Sequence, residues 1–345
     1  MQGEHERATI DWAKFTALIS SAQKVVLIGH VRPDGDTIGS NLAMKRALEA
    51  LGKEALFVNG HAAPPGLRFL DGAAQTPTFN DLSEQARAFL DAADLVLTID
   101  VSSWQQLGAD ASEYVRRKAQ SGAVIATIDH HAVGDTLAPH AFVDANADSA
   151  GSLTFEAIQT LGVTITQEIA TPLFVAIATD TGWFRFASTN ADTLRRAASL
   201  IDAGVRVDAI YREVYEQESY GRFQLYGAAV RSAERILDGK GVIMSLRLAD
   251  FDAFHAIASD SEDLVNEPLS IANMEVSAIL IEQRDGTIKA SFRSRCALDC
   301  AQLAREYGGG GHKQAAGATL HAPLTQALDQ VKALLAQFYA QAQRD

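Results

Sequence analysis

The residues best suited to chemistry are acidic and imidazole side chains in four short stretches: His30-Val31-Arg32-Pro33-Asp34-Gly35-Asp36, Leu97-Thr98-Ile99-Asp100, Asp129-His130-His131 and Thr179-Asp180-Thr181-Gly182. Asp34 and Asp36 flank a glycine, and a bend there aims both carboxylates at neighbouring points. Like charges held that close repel unless a cation lies between them. An aspartate-rich turn capping the next helix is the plain alternative for this first stretch taken alone. As a set, hard oxygen donors with imidazole suit Mn²⁺, with Mg²⁺ or Co²⁺ as alternatives, and the lack of thiolate argues against structural zinc. The donors exceed the needs of one ion. Two ions roughly 3.5–4 Å apart, sharing one carboxylate, would use them all and clamp a phosphoryl group.

Such residues need strand and helix ends to hold them. The apolar run 24–29 reads as a buried strand, and Ile38, Leu42, Leu48 and Leu51 recur behind it at helical spacing. Further strands are predicted over 53–59, 94–100, 123–129 and 142–144, and helices over 8–22, 83–93, 110–121 and 150–161. This alternation predicts an α/β fold, an open and mainly parallel sheet with helices on both faces. Ligands of such sheets gather beyond the carboxyl ends of the strands, where His30, Asp100 and Asp129 all fall. A buried helix over 167–178 leads to Asp180, at the end where the helix dipole disfavours an anion and a cation would offset it.

At 345 residues the chain exceeds one typical core, so two domains are expected. Charged helix over 188–226 should connect them. Beyond it, hairpin-like pairs surround Asp238-Gly239 and Asp285-Gly286, and helices are predicted over 299–306 and 325–341. The expected division is a catalytic, metal-binding domain at 1–187, a helical linker at 188–226 and a smaller α+β substrate domain at 227–345.

The net charge of −13 opposes binding of long duplex DNA but permits a local basic pocket. Cys296 and Cys300 are too few for a disulfide framework and are expected as reduced thiols in a cytoplasmic protein. Asp11 and Lys14 break any signal-peptide core, and no apolar run approaches the roughly 20 residues of a membrane span.

In their order, HVRPDGD, LTID, IDHH and TDTG resemble the signature motifs of the DHH phosphoesterases. RSR at 293–295 and GGGGHKQAAG at 308–317 resemble the associated C-terminal substrate domain. The resemblance runs from about 20 to 325 and is greatest to the NrnA-type oligoribonucleases and 3′-phosphoadenosine 5′-phosphate phosphatases. It implies one ion held by His30, Asp34 and Asp100, and a second held by Asp36, Asp100, His130 and Asp180, with Asp100 bridging. His131 would then face the scissile phosphate, and Asp129 would orient a histidine. Spacing alone does not choose between His130 and His131 as the ligand.

The resemblance also assigns Arg293, Arg295, Gly309, Gly310, Gly311 and His312 to the nucleotide end of the substrate. By themselves, the glycines read either as a backbone cradle for phosphate or as a flexible connector. The helix start at 149–152 could offer N–H groups to phosphate or be a plain cap. Trp183 and Phe184 could stack on a base or belong to the core. The implied activity is hydrolysis, in the cleft between the domains, of short RNA, linear dinucleotides such as pApA and pGpG, and a nucleoside bisphosphate. A homodimer is the default assembly. An inorganic pyrophosphatase of the same superfamily is one alternative, although a more lysine-rich second domain without GGGGH would be expected for it. A non-catalytic nucleotide sensor is another, and it has no need of two metals.

Overall fold

The computed structural model describes residues 10–132 and 134–343, and its internal contacts divide the chain into two units, Met1–Gln217 and Glu218–Asp345. The division falls inside the stretch expected to connect the domains. Helices there pack as parts of the units: Leu200 and Ile210 belong to the first unit's core, and Leu225 to one in the second.

In the first unit, α1 (Trp12–Ser21), β1 (Lys24–Ile28), α2 (Gly35–Ala50), β2 (Glu54–Val58), α3 (Glu84–Ala92), β3 (Leu95–Ile99), α4 (Trp104–Leu107), α5 (Ala109–Gln120), β4 (Val124–Asp129) and β5 (His140–Val143) follow in turn. Four helices complete it: α6 (Ala150–Thr160), α7 (Gln167–Asp180), α8 (Ala191–Asp202) and α9 (Val207–Tyr215). The sheet order is β2-β1-β3-β4-β5 and every pairing is parallel. Leu27, Leu97 and Ile128 face a core shared with α2, α6 and α7, whereas Val26, Val96 and Ile125 face Leu90 of α3 and Tyr114 of α5. Burial on both faces explains why these strands are continuous apolar runs with no polar alternation. Strand order reverses between β1 and β3, and the ends of those two strands carry His30 and Asp100. Such a switch point opens a crevice for ligand.

Helices α2 and α7 meet through glycine. A Cβ at Gly39 would overlap the Pro172 carbonyl oxygen, and one at Gly35 would overlap the Thr179 hydroxyl. Pro172 lies inside α7 and cannot bond the Glu168 carbonyl, which accepts instead from Arg46 of α2. This close approach brings Asp36 and Asp180, on different helices, to one place. Gly39→Val should therefore destabilise the first unit by about 1–3 kcal/mol, the usual result of overpacking. Thermal unfolding checks it, and an unchanged midpoint would show that the helices can separate freely.

The second unit contains α10 (Tyr220–Ser232), β6 (Glu234–Ile236), β7 (Gly241–Leu246), α11 (Leu248–Phe254), β8 (Val276–Glu282), β9 (Ile288–Ser294), α12 (Cys300–Arg305), β10 (Gly310–His312), β11 (Ala315–Leu320) and α13 (Leu324–Ala342). Its sheet order is β10-β11-β9-β8-β7-β6, antiparallel except between β7 and β8. Ala278 and Leu280 face α12 and α13, while Ile279 and Ile281 face α10 and α11. Cys296 and Cys300 are free thiols. Among the described residues, no helix is long and apolar enough to cross a membrane.

Candidate metal centre

Each acidic and imidazole residue singled out in the first unit sits where a regular element ends. His30 follows β1, Asp100 follows β3, Asp129 ends β4 and Asp180 ends α7. Asp34 is the N-cap of α2, its Oδ1 accepting the Thr37 N–H at 3.0 Å, while its Oδ2 lies 3.4 Å from His30 Nε2. One carboxylate oxygen thus caps the helix while the other faces His30. Asp100 has a left-handed backbone, φ +64°, which aspartate tolerates better than most residues. Its Oδ2 accepts from Thr37 Oγ1 at 2.6 Å and lies 3.4 Å from His30 Nε2, and its Oδ1 lies 3.6 Å from His130 Nε2. Asp100 therefore faces both histidines, one with each oxygen.

His130 Nε2 also lies 3.7 Å from Asp36 Oδ2 and 3.7 Å from Asp180 Oδ2. The donor atoms form three overlapping groups, each within 4.8 Å: His30, Asp34 and Asp100; Asp36, His130 and Asp180; and Asp100, His130 and His131. Asp100 joins the first group to the third, and His130 joins the third to the second. His131 differs from its neighbour, because its Nδ1 lies 2.7 Å from Asp129 Oδ1. Geometry thus separates two histidines that spacing could not: His130 faces three carboxylates, and His131 is held by Asp129.

The charges confirm how crowded the cluster is. Burial raises Asp36 well above the usual carboxylate range, and the Asp100 and Asp180 charges raise it further. Burial pushes Asp180 up to about 6, with His130 opposing and Asp100 adding. Burial alone would depress both His30 and His130, but hydrogen bonds to Asp100 and the neighbouring carboxylates overcome it and hold each at about 10. Asp100 is lowered, because hydrogen bonds from His130, His30 and Thr37 outweigh its burial. In the chain without an ion, protons on imidazole balance carboxylates packed together. Hard divalent cations would do so better, and the oxygen-rich donor set fits them.

Three readings that the sequence leaves open are narrowed, Ser149 being the N-cap of α6. The helix start at 149–152 does not offer its first N–H groups to phosphate: those of Ala150 and Gly151 bond to Asp36 Oδ2 and Oδ1, at 2.7 and 2.8 Å. Trp183 and Phe184 pack on Phe174, and Trp183 also meets Tyr211 and Tyr215, so both belong to the rim of the core. The glycine run is neither a loose connector nor wholly a cradle. Gly310, Gly311 and His312 form edge strand β10 against β11, and a Cβ at Gly309 or Gly311 would collide with the β11 backbone. The Gly309 N–H is already bonded to the Ala304 carbonyl.

In that unit Arg293 and His312 both pair with Ala315, from either side, so the three share one face of the sheet. Arg293 Nε donates to Asn266 Oδ1 at 2.9 Å, and Arg295 Nη1 donates to the Leu269 carbonyl at 2.7 Å. Both arginines thus also anchor the segment Leu264–Ser270. Sequence reasoning missed Thr37 and Ser40, which donate to Asp100 and Asp36 from inside α2. Their place one and four residues after Asp36, on a helix facing the sheet, was the available signal.

With this geometry in hand, comparison with known proteins assigns the class. The chain belongs to the DHH family: the DHH family N-terminal domain matches residues 24–177 and the DHHA1 domain matches residues 240–341. A bifunctional oligoribonuclease and PAP phosphatase NrnA of Thermus thermophilus is 34% identical over 298 residues, covering 86% of this chain and 84% of that protein. The protein of the same name from Bacillus subtilis is 27% identical over 307 residues, covering 88% and 91%. The crystal structure of an exopolyphosphatase-related protein from Bacteroides fragilis superposes with a TM-score of 0.81 at 27% identity, covering 99% of this chain and all of that one.

Proposed function

We propose that this chain hydrolyses short oligoribonucleotides and linear dinucleotides such as pApA and pGpG to 5′-mononucleotides, and 3′-phosphoadenosine 5′-phosphate to AMP. It is a hydrolase acting on phosphoester bonds, as its family and its NrnA relatives indicate. The observation that carries the reading is the convergence of His30, Asp34, Asp36, Asp100, His130 and Asp180 into overlapping ligand groups at one sheet edge. Two divalent cations, Mn²⁺ in our reading, would be held there, by His30, Asp34 and Asp100 and by Asp36, Asp100, His130 and Asp180. When bound they supply Lewis-acid stabilisation of the phosphoryl oxygens and a nucleophile at neutral pH.

His131 has a different task. Its hydrogen bond to Asp129 raises its pKa against the opposing effect of burial, a shift toward the protonated ring. With Nδ1 turned to Asp129, Nε2 is the nitrogen left to hold a proton toward a phosphate oxygen. Asp129→Asn should lower the His131 pKa, so activity that needs the imidazolium is lost at a lower pH than in the wild type. A pH–rate profile checks this, and an unmoved alkaline limb would remove Asp129 from that role.

Arg293, Arg295, His312 and the glycines Gly309, Gly310 and Gly311 are proposed to receive the nucleotide end. A homodimer in the cytoplasm is the proposed setting. The pyrophosphatase reading is the weaker one, because the Thermus thermophilus and Bacillus subtilis relatives, each matched over most of both chains, carry the oligoribonuclease name. Purified protein with Mn²⁺ should hydrolyse pApA, pGpG and 3′-phosphoadenosine 5′-phosphate in preference to pyrophosphate or a long RNA. Preference for pyrophosphate would reverse the choice, and no turnover of any of them would favour the sensor.

A further inference from the structure

Behind Asp36 lies a second polar cluster that belongs to none of the ligand groups. Asp36 is 1% exposed, and its oxygens accept the first two N–H groups of α6 together with the Ser40 hydroxyl at 3.0 Å. Those N–H groups have no partner within a helix, and the positive end of the helix dipole favours the carboxylate. The start of α6 is itself held from behind. Ser149, its N-cap, accepts the Ser152 N–H at 3.1 Å and donates to Asp148 Oδ1 at 2.9 Å.

Asp148 is 1% exposed, and its other oxygen accepts from Thr193 Oγ1 of α8 and lies 4.0 Å from Arg196 Nη1. Arg196 also pairs with Glu156 of α6, and Thr193 Oγ1 accepts the Asn190 N–H at 3.1 Å in the cap of α8. A buried carboxylate is tolerated only with such partners. The result is a hydrogen-bonded series from the start of α8 through Asp148 to Ser149, continued by the backbone of the first turn of α6, whose N–H groups reach Asp36.

We propose that Asp148 and Thr193 are positioning residues that set the Asp36 carboxylate, through the first turn of α6, for the ion it would share with His130 and Asp180. The inference rests on the dimetal reading of the site. Neither residue belongs to the groups of candidate ligands. Groups that orient metal ligands from behind typically change metal affinity by about 10- to 100-fold when altered.

The test is Mn²⁺ binding to the full chain, followed as free Mn²⁺ by electron paramagnetic resonance, with thermal unfolding in parallel. Thr193→Val keeps the shape and removes the hydroxyl, Thr193→Ser restores it, and Asp148→Asn removes the charge opposite Arg196. Thr193→Val should weaken one of two ions by about 10- to 100-fold and leave the other unchanged, and Thr193→Ser should return to the wild-type isotherm. Two unchanged ions in Thr193→Val, or equal weakening of both with a lowered melting point, would overturn the inference alone. If Thr193→Val does not fold, Asp148→Asn decides on the same isotherm. Failure of both to fold would also overturn it, since the cluster would then serve the whole unit. A wild-type chain that took up no divalent ion would instead remove the dimetal reading, and this inference with it.

Discussion

Asp100→Asn should reduce turnover of pApA by about 10³-fold or more, the several kcal/mol of transition-state stabilisation that a metal pair provides. Asp100 is the one carboxylate that faces both His30 and His130, and it is 3% exposed. Asparagine keeps the size, accepts the left-handed backbone at φ +64° and can still accept from Thr37. The fold should therefore survive while the shared negative charge is lost. Alanine would add backbone strain of about 1–2 kcal/mol to the same defect. Steady-state kinetics with Mn²⁺, beside a thermal melt, measure both effects. Wild-type turnover in Asp100→Asn would take Asp100 out of the site altogether.

Uptake of divalent metal should release protons, and metal affinity should climb steeply with pH. His30 and His130 are held at about 10 in the chain without an ion, so near neutrality each carries a proton that a coordinating imidazole must lose. Asp36, raised by burial and by its carboxylate neighbours, adds to the same demand. The sign follows directly: protons compete with metal below the pKa of each group, and the competition fades as pH approaches it. Affinity should rise about tenfold per pH unit for each proton displaced between pH 6 and 8. Calorimetric titrations in buffers of different ionisation enthalpy count the protons. A pH-independent affinity without proton release would mean that the histidines do not coordinate.

Much of the architecture was legible because burial on both faces leaves an unmistakable pattern. The runs 24–29, 94–100 and 123–129 have mainly apolar interiors, and they are the three adjacent central strands β1, β3 and β4. Strand polarity then put His30, Asp100 and Asp129 at one edge before any coordinates were needed. The edge strand β10 was not legible, since glycine carries no periodicity, and only the neighbouring β11 backbone explains why bulk is excluded at Gly309 and Gly311. Arg293 and Arg295 showed their charge in sequence but not their bonds to Asn266 and the Leu269 carbonyl.

The sequence by itself determined the kind of chemistry: side-chain type sets which cations and protons a cluster takes, and local patterning sets which strand or helix end carries each group. Only the tertiary structure decided the partnerships. It turned His130 toward Asp36, Asp100 and Asp180, and it directed the start of α6 at Asp36 rather than at a ligand. The reason is that such contacts join residues far apart in the chain, 114 positions in the case of Ala150 and Asp36, and nothing local records which distant backbone will arrive beside a given side chain.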